Sequence, residues 1–116
     1  MIYEKTISTP ITATEASPQK TVWKLEKGII TDLRVYFPAG SANLLHVIFF
    51  FESVQIFPKT SGSFSGHGGM FEHSNIGYPL LTPPYELILY TWNESTKYAH
   101  SVYLYLDISR TGVYVE

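Results

Sequence analysis

The stretch AHSVYLYLDIS near the end of the chain alternates without a break, so that Val102, Leu104, Leu106 and Ile108 fall on one side and Tyr103, Tyr105 and Asp107 on the other. A period of two is that of a β-strand with one face buried, and it leaves no apolar stripe for a helix. Just before it, YELILYTW sets Leu87 and Leu89 against Ile88, Tyr90 and Trp92, and the two runs are separated by the turn-forming Asn93-Glu94-Ser95-Thr96. A chain that carries such a pair must bury a sheet face, so the rest of it has to supply a second layer.

The remaining segments fit that demand. In IITDLRVYF, Leu33, Val35 and Phe37 oppose Asp32, Arg34 and Tyr36, and the run stops at Pro38-Ala39-Gly40. LLHVIFFF is apolar on both faces, as expected of a strand held between two layers or between two protomers. Shorter strands are expected around Ile2, around Trp23 and from Gln55 to Phe57, while Pro83-Pro84 opposes regular ladder pairing after Tyr78. With seven or eight strands and no helical period, the expected fold is all-β: an antiparallel β-sandwich of jelly-roll type over residues 21 to 116. Residues 1 to 20, rich in Thr, Ala and Ser and broken by Pro10 and Pro18, read as an extended N-terminal arm.

Composition narrows the function classes. Charged residues make up 16 % of the 116 residues, against about 25 % in an average domain, while aromatic residues reach 16 %. So little charge over so much aromatic surface implies cover by another chain. The formal net charge of −2 comes without a basic run, so nucleic acid is not an expected partner. No cysteine is present, which excludes disulfides, thiolate catalysis and cysteine zinc sites. The opening MIYEKTISTP has neither a basic n-region nor a long apolar core, and no apolar run is long enough to span a membrane, so no membrane is expected either.

One stretch invites a search for chemistry. SGSFSGHGGMFEHS, residues 61 to 74, holds four glycines and two histidines. It lacks the Lys-Ser/Thr that completes a phosphate loop, and its glycines are explained by positive φ angles or sharp bends. His67, Glu72 and His73, with His46 from elsewhere, would need to converge to hold a metal, and a strand would send His67 and His73 to opposite faces. His100 shares a face with Val102 and Leu104 and reads as a core imidazole bonded to backbone near the Asn93 turn. No G-x-S-x-G elbow is present and no carboxylate pair has a defined separation, so no catalytic residue, cofactor or metal is expected. Asn93-Glu94-Ser95 matches a glycosylation sequon, without a secretory signal to give it use. Phe64, Met70 and Phe71 make the glycine-rich stretch an interface hairpin or loop, and Tyr90, Trp92, Tyr103 and Tyr105 are further interface candidates. The same aromatics carry the alternative, a carbohydrate-binding module with Trp92 and neighbouring tyrosines as its stacking platform.

The landmarks LEKGIITDLRVYFPAG, VQIFPKTSG and PPYELILYTWNESTKYAHSVYLYL follow one another in an order that resembles a group of small β-proteins encoded among the structural genes of tailed viruses of bacteria and archaea. The resemblance spans about residues 25 to 108. It implies a virion part assembled in the host cytoplasm, with capsid decoration or another head or tail surface component as the sharpest form, and it brings no catalytic residues. The expected partners are further copies of the chain, closed into a ring such as a trimer, and a larger protein lattice such as a capsid.

Overall fold

The computed structural model describes residues 2–40, 43–52, 54–58, 62–66, 68–74 and 76–109. Ten strands and no helix occur among them: β1 (Ile2–Thr9), β2 (Gln19–Lys24), β3 (Gly28–Phe37), β4 (Leu45–Phe51), β5 (Val54–Phe57), β6 (Phe64–Ser65), β7 (Gly69–His73), β8 (Tyr78–Leu80), β9 (Glu86–Asn93) and β10 (His100–Ser109). They form two antiparallel sheets packed as a β-sandwich. The first has the order β1-β10-β3-β7, with β8 also on β3; the second has the order β2-β9-β4-β5, with β6 also on β4.

Alternation decides which side chains meet between the sheets. Leu33, Val35 and Phe37 of β3 and Val102, Leu104 and Leu106 of β10 are buried against Leu45, Val47 and Phe49 of β4 and Leu87 and Leu89 of β9. The apolar character of β4 on both faces resolves into two roles. Its odd-numbered residues up to Phe49 fill the interior, and His46, Ile48 and Phe50 lie half-buried on the outer face of the second sheet. In β3 the inward parity changes from Ile30 to Leu33, because the ladder to β10 slips between Asp107 and Ile108 and leaves Thr31 as an extra residue. The Thr31 carbonyl accepts the Ile76 backbone N–H, and its hydroxyl donates to Asp32.

Strands adjacent in sequence mostly belong to different sheets. Among the described strands β4 and β5 are the one consecutive pair joined by a ladder, whereas β9 and β10, expected as neighbours from their spacing, lie in opposite sheets. The turn between them is closed by the Asn93 side chain, whose Nδ2 donates to the carbonyls of Thr9 and Tyr98. Thr9 Oγ1 donates to Thr91 Oγ1 at 2.9 Å, a buried bond that links the two sheets at this end.

Residues 2–20, expected as part of an arm, begin with β1 paired along its whole length to β10, from Ile2 opposite Asp107 to Thr9 opposite His100. The loop that follows reaches β2 at Gln19, and its Ala13 carbonyl accepts from the Asn93 backbone. Two or three short strands exceed the expected count. The glycine-rich stretch itself supplies β6 and β7, and β8 pairs with β3 despite Pro79, which a position at the sheet margin tolerates.

Candidate functional site

The glycine-rich stretch crosses from one sheet to the other. Phe64 enters the interior opposite Val47, and Met70 to His73 then run along β3 at the margin of the first sheet. Two glycines make the crossing possible. A Cβ at Gly66 would lie 3.0 Å from Phe37 and 3.2 Å from Phe71, and Gly68 has a φ of 62°, where L side chains are strained.

The seven residues expected at an interface separate into three places. Phe64 is only 8 % exposed and stacks among Phe49, Phe71 and His73, so it holds the stretch to the core. Met70 is 50 % exposed and Phe71 39 %, both on β7. Tyr103 and Tyr105 lie half-buried on the outer face of the first sheet, where Tyr103 meets Tyr36 at 6.0 Å. A groove there is lined by Ile2, Asp32, Arg34, Tyr105, Leu106 and Asp107. Tyr90 sits on the outer face of the second sheet, edge-on to Phe50. Trp92 is 6 % exposed beneath the His46 ring, stacked at 5.0 Å and 9°, so its indole is no open platform for a sugar.

Around that stack the fold gathers residues that no spacing in the chain announces. His46 comes from the start of β4, Trp92 from the end of β9, Ser63 from just before β6 and Glu94 from just after β9. His46 Nδ1 lies 2.8 Å from Ser63 Oγ. On the other side of the ring, Nε2 is 2.9 Å from Glu94 Oε2, within ion-pair range. That contact does not form a hydrogen bond, so buried Nε2 has no hydrogen-bond partner among the described residues, and neither has Trp92 Nε1. Backbone bonds frame the cluster: the Glu94 N–H donates to the Leu44 carbonyl, and the Asn43 N–H to that of Gly66.

The other histidines do not join it. His73 turns toward Phe64, and neighbouring Glu72 faces the opposite way to meet Arg34 at 2.7 Å. His67 lies outside the described residues, and among those described no three His, Asp or Glu side chains gather to hold a metal ion. His100 opens β10 half-buried, opposite Thr9. Asn93 is buried with its amide donating twice, so the sequon nitrogen is unreachable in the folded chain. Tyr78 is held above its ordinary value of 10.0, mainly by burial and secondarily by the Glu52 carboxylate.

Comparison with protein-family models, with curated proteins and with solved structures finds no match for this chain.

Proposed function

We propose that this chain is a structural protein of a virion surface, a capsid decoration protein or another head or tail component, which assembles with itself and docks on a larger protein lattice. Its role asks for no catalysis. The observation that carries the reading is β7: a strand at the margin of its sheet, with Met70 and Phe71 exposed and no lysine or proline to blunt it. Such an edge offers free main-chain donors and acceptors together with apolar side chains, the chemistry of strand addition. The landmarks of residues 25 to 108 support the virion assignment.

The finer architecture belongs to the same proposal. A jelly roll is supported by the orders β1-β10-β3-β7 and β2-β9-β4-β5, in which the chain passes repeatedly between the sheets. Exchange of the N-terminal arm is supported by the place of β1 at the opposite margin of the first sheet, where the same ladder to β10 would form with a neighbour's strand. Ring closure, a trimer in the first instance, would use up such edges.

Light scattering of the purified chain over a wide concentration range tests the reading. A defined oligomer is expected, and Met70→Lys combined with Phe71→Thr should weaken it by about 100-fold, the effect of losing roughly 3 kcal/mol at an interface anchor. A monomer at every concentration overturns self-assembly.

A second reading, carbohydrate binding, is favoured by one arrangement: Tyr105 beside Arg34, Asp32 and Asp107 in the groove of the first sheet. There an aromatic face adjoins groups able to bond sugar hydroxyls. Glycan binding lost with Tyr105→Ala, and retained with Trp92→Phe, would support it.

A further inference from the structure

We propose that Ser63, His46 and Glu94 act as nucleophile, base and orienting carboxylate in the hydrolysis of carboxylic esters with an apolar acyl chain, an activity beyond the assembly role and independent of it. The hydroxyl of Ser63 and Nδ1 of His46, 2.8 Å apart, are within reach for proton transfer. The Glu94 carboxylate at Nε2 favours the tautomer protonated there, which turns the Nδ1 lone pair toward Ser63. The ring nitrogens have exchanged the places they hold in the familiar serine triad, but the division of labour is the same. Resting contacts of this kind are commonly misaligned and tighten around substrate, which accounts for the missing hydrogen bond at Nε2.

A purely structural clasp would satisfy its buried polar atoms. Among the described residues this cluster leaves Nε2 of His46 and Nε1 of Trp92 without hydrogen bonds, and its Ser63 is not fully buried. Stacking on Trp92 fixes the imidazole plane, with the His46 side chain 16 % exposed and Glu94 54 % exposed. Ser65 stands opposite His46 in the β4–β6 ladder, a second serine at this end of the strand.

The surface leading away from the cluster defines the substrate class. On the outer face of the second sheet Ile48 is opposite Tyr90 and Phe50 opposite Ile88, continuing the row begun by His46 and Trp92. From His46 to Phe50 this strip runs about 13 Å at the usual rise of a strand. It is apolar and half-buried, and so suits an extended acyl chain.

In the reaction, Ser63 Oγ adds to the ester carbonyl carbon while its proton passes to Nδ1. The carbon–oxygen bond to the alcohol breaks, and the alcohol leaves with that proton. Water then attacks the acyl-serine, giving a proton to Nδ1. The carboxylic acid departs and Ser63 recovers its proton. Glu94 steadies the imidazolium formed in each half of the reaction, as a positioning residue.

The test uses the full chain with p-nitrophenyl acetate, p-nitrophenyl octanoate and a fluorophosphonate probe. The probe is expected on Ser63 by peptide mapping, with octanoate the better ester. Ser63→Ala, which removes one oxygen, should abolish labelling and lower kcat/KM by at least about 100-fold. Glu94→Gln should lower kcat about 10-fold with KM unchanged, a split that a loss of packing would not give. Met70→Lys alone, at the exposed edge of β7, should leave hydrolysis intact while weakening assembly, so this inference and the assembly reading fail separately. Equal hydrolysis by the parent chain and Ser63→Ala, or probe attached elsewhere than Ser63, overturns the proposal.

Discussion

Two edge strands of this sandwich, β2 and β7, solve the problem of an open ladder in opposite ways. On β2 the outward positions are Lys20, Val22 and Lys24, so a charged side chain stands on either side of the single apolar one. A second strand approaching that edge would have to strip water from two ammonium groups, and the edge is closed to pairing by chemistry alone. On β7 the outward Met70 is uncharged and the outward Glu72 is already matched to Arg34 of β3. Nothing there repels a partner. The contrast teaches that exposure by itself does not mark an interface; what counts is whether the exposed edge carries a penalty for pairing.

The sharpest way to separate the interior of the β7 region from its edge is to remove its anchor. Phe64→Ala should cost the chain about 3–5 kcal/mol in urea unfolding, the usual loss for a buried phenylalanine, whereas Met70→Lys at the surface should cost under about 0.5 kcal/mol. If the two substitutions cost the same, Phe64 does not anchor the stretch. Stripping the guard from β2 comes next in size. Lys20→Thr with Lys24→Thr should create a sticky edge, seen as concentration-dependent growth in mass beyond that of the parent protein, and an unchanged mass would show that the lysines are not what closes it. Smaller again is the pair that neutralises β7. Arg34→Ala breaks an exposed ion pair and should change stability by about 0–0.5 kcal/mol, while leaving an unmatched Glu72 that weakens association.

The smallest effect shows only in alkali, at β8, which pairs with β3 as β7 does. Tyr78 has its ionisation raised by burial and by Glu52, so the folded state holds the phenol proton more tightly than the unfolded state. The contribution to stability is therefore complete below pH 10.0 and is lost as the pH climbs above it. Tyr78→Phe should flatten the alkaline limb of the stability profile; an identical limb in the variant would place the cause elsewhere.

The inward faces of β3, β9 and β10 were legible because period-two alternation states which residues share a side, and Leu33, Leu87 and Val102 are buried as it requires. Pairing was not legible. A turn such as Asn93-Glu94-Ser95-Thr96 has the same composition whether the next strand folds back beside its predecessor or crosses to the other sheet, and here β9 and β10 part company. The bulge at Thr31 was hidden because one extra residue disturbs the alternation for only a single step. The candidate site was hidden for a related reason. His46 lies on β4, Ser63 just before β6 and Glu94 just after β9, and β4 pairs with both of those strands although they are far apart in sequence, so no spacing joins the three residues in the chain. The one available signal was a histidine in the middle of LLHVIFFF, where a polar residue on a strand otherwise apolar on both faces needs a partner.

The ladder from Ile2 to Asp107 also sets an order of events as the chain is made. During synthesis β1 emerges well before β10, so their ladder cannot form until the strands between them have been made. Pairing over so long a separation is slow compared with local contacts. For the whole of that interval β1 is a free strand, and any neighbouring copy that already displays β10 offers it the same partner at no loss of register. Under the proposed arm exchange, birth order makes β1 the strand to be shared.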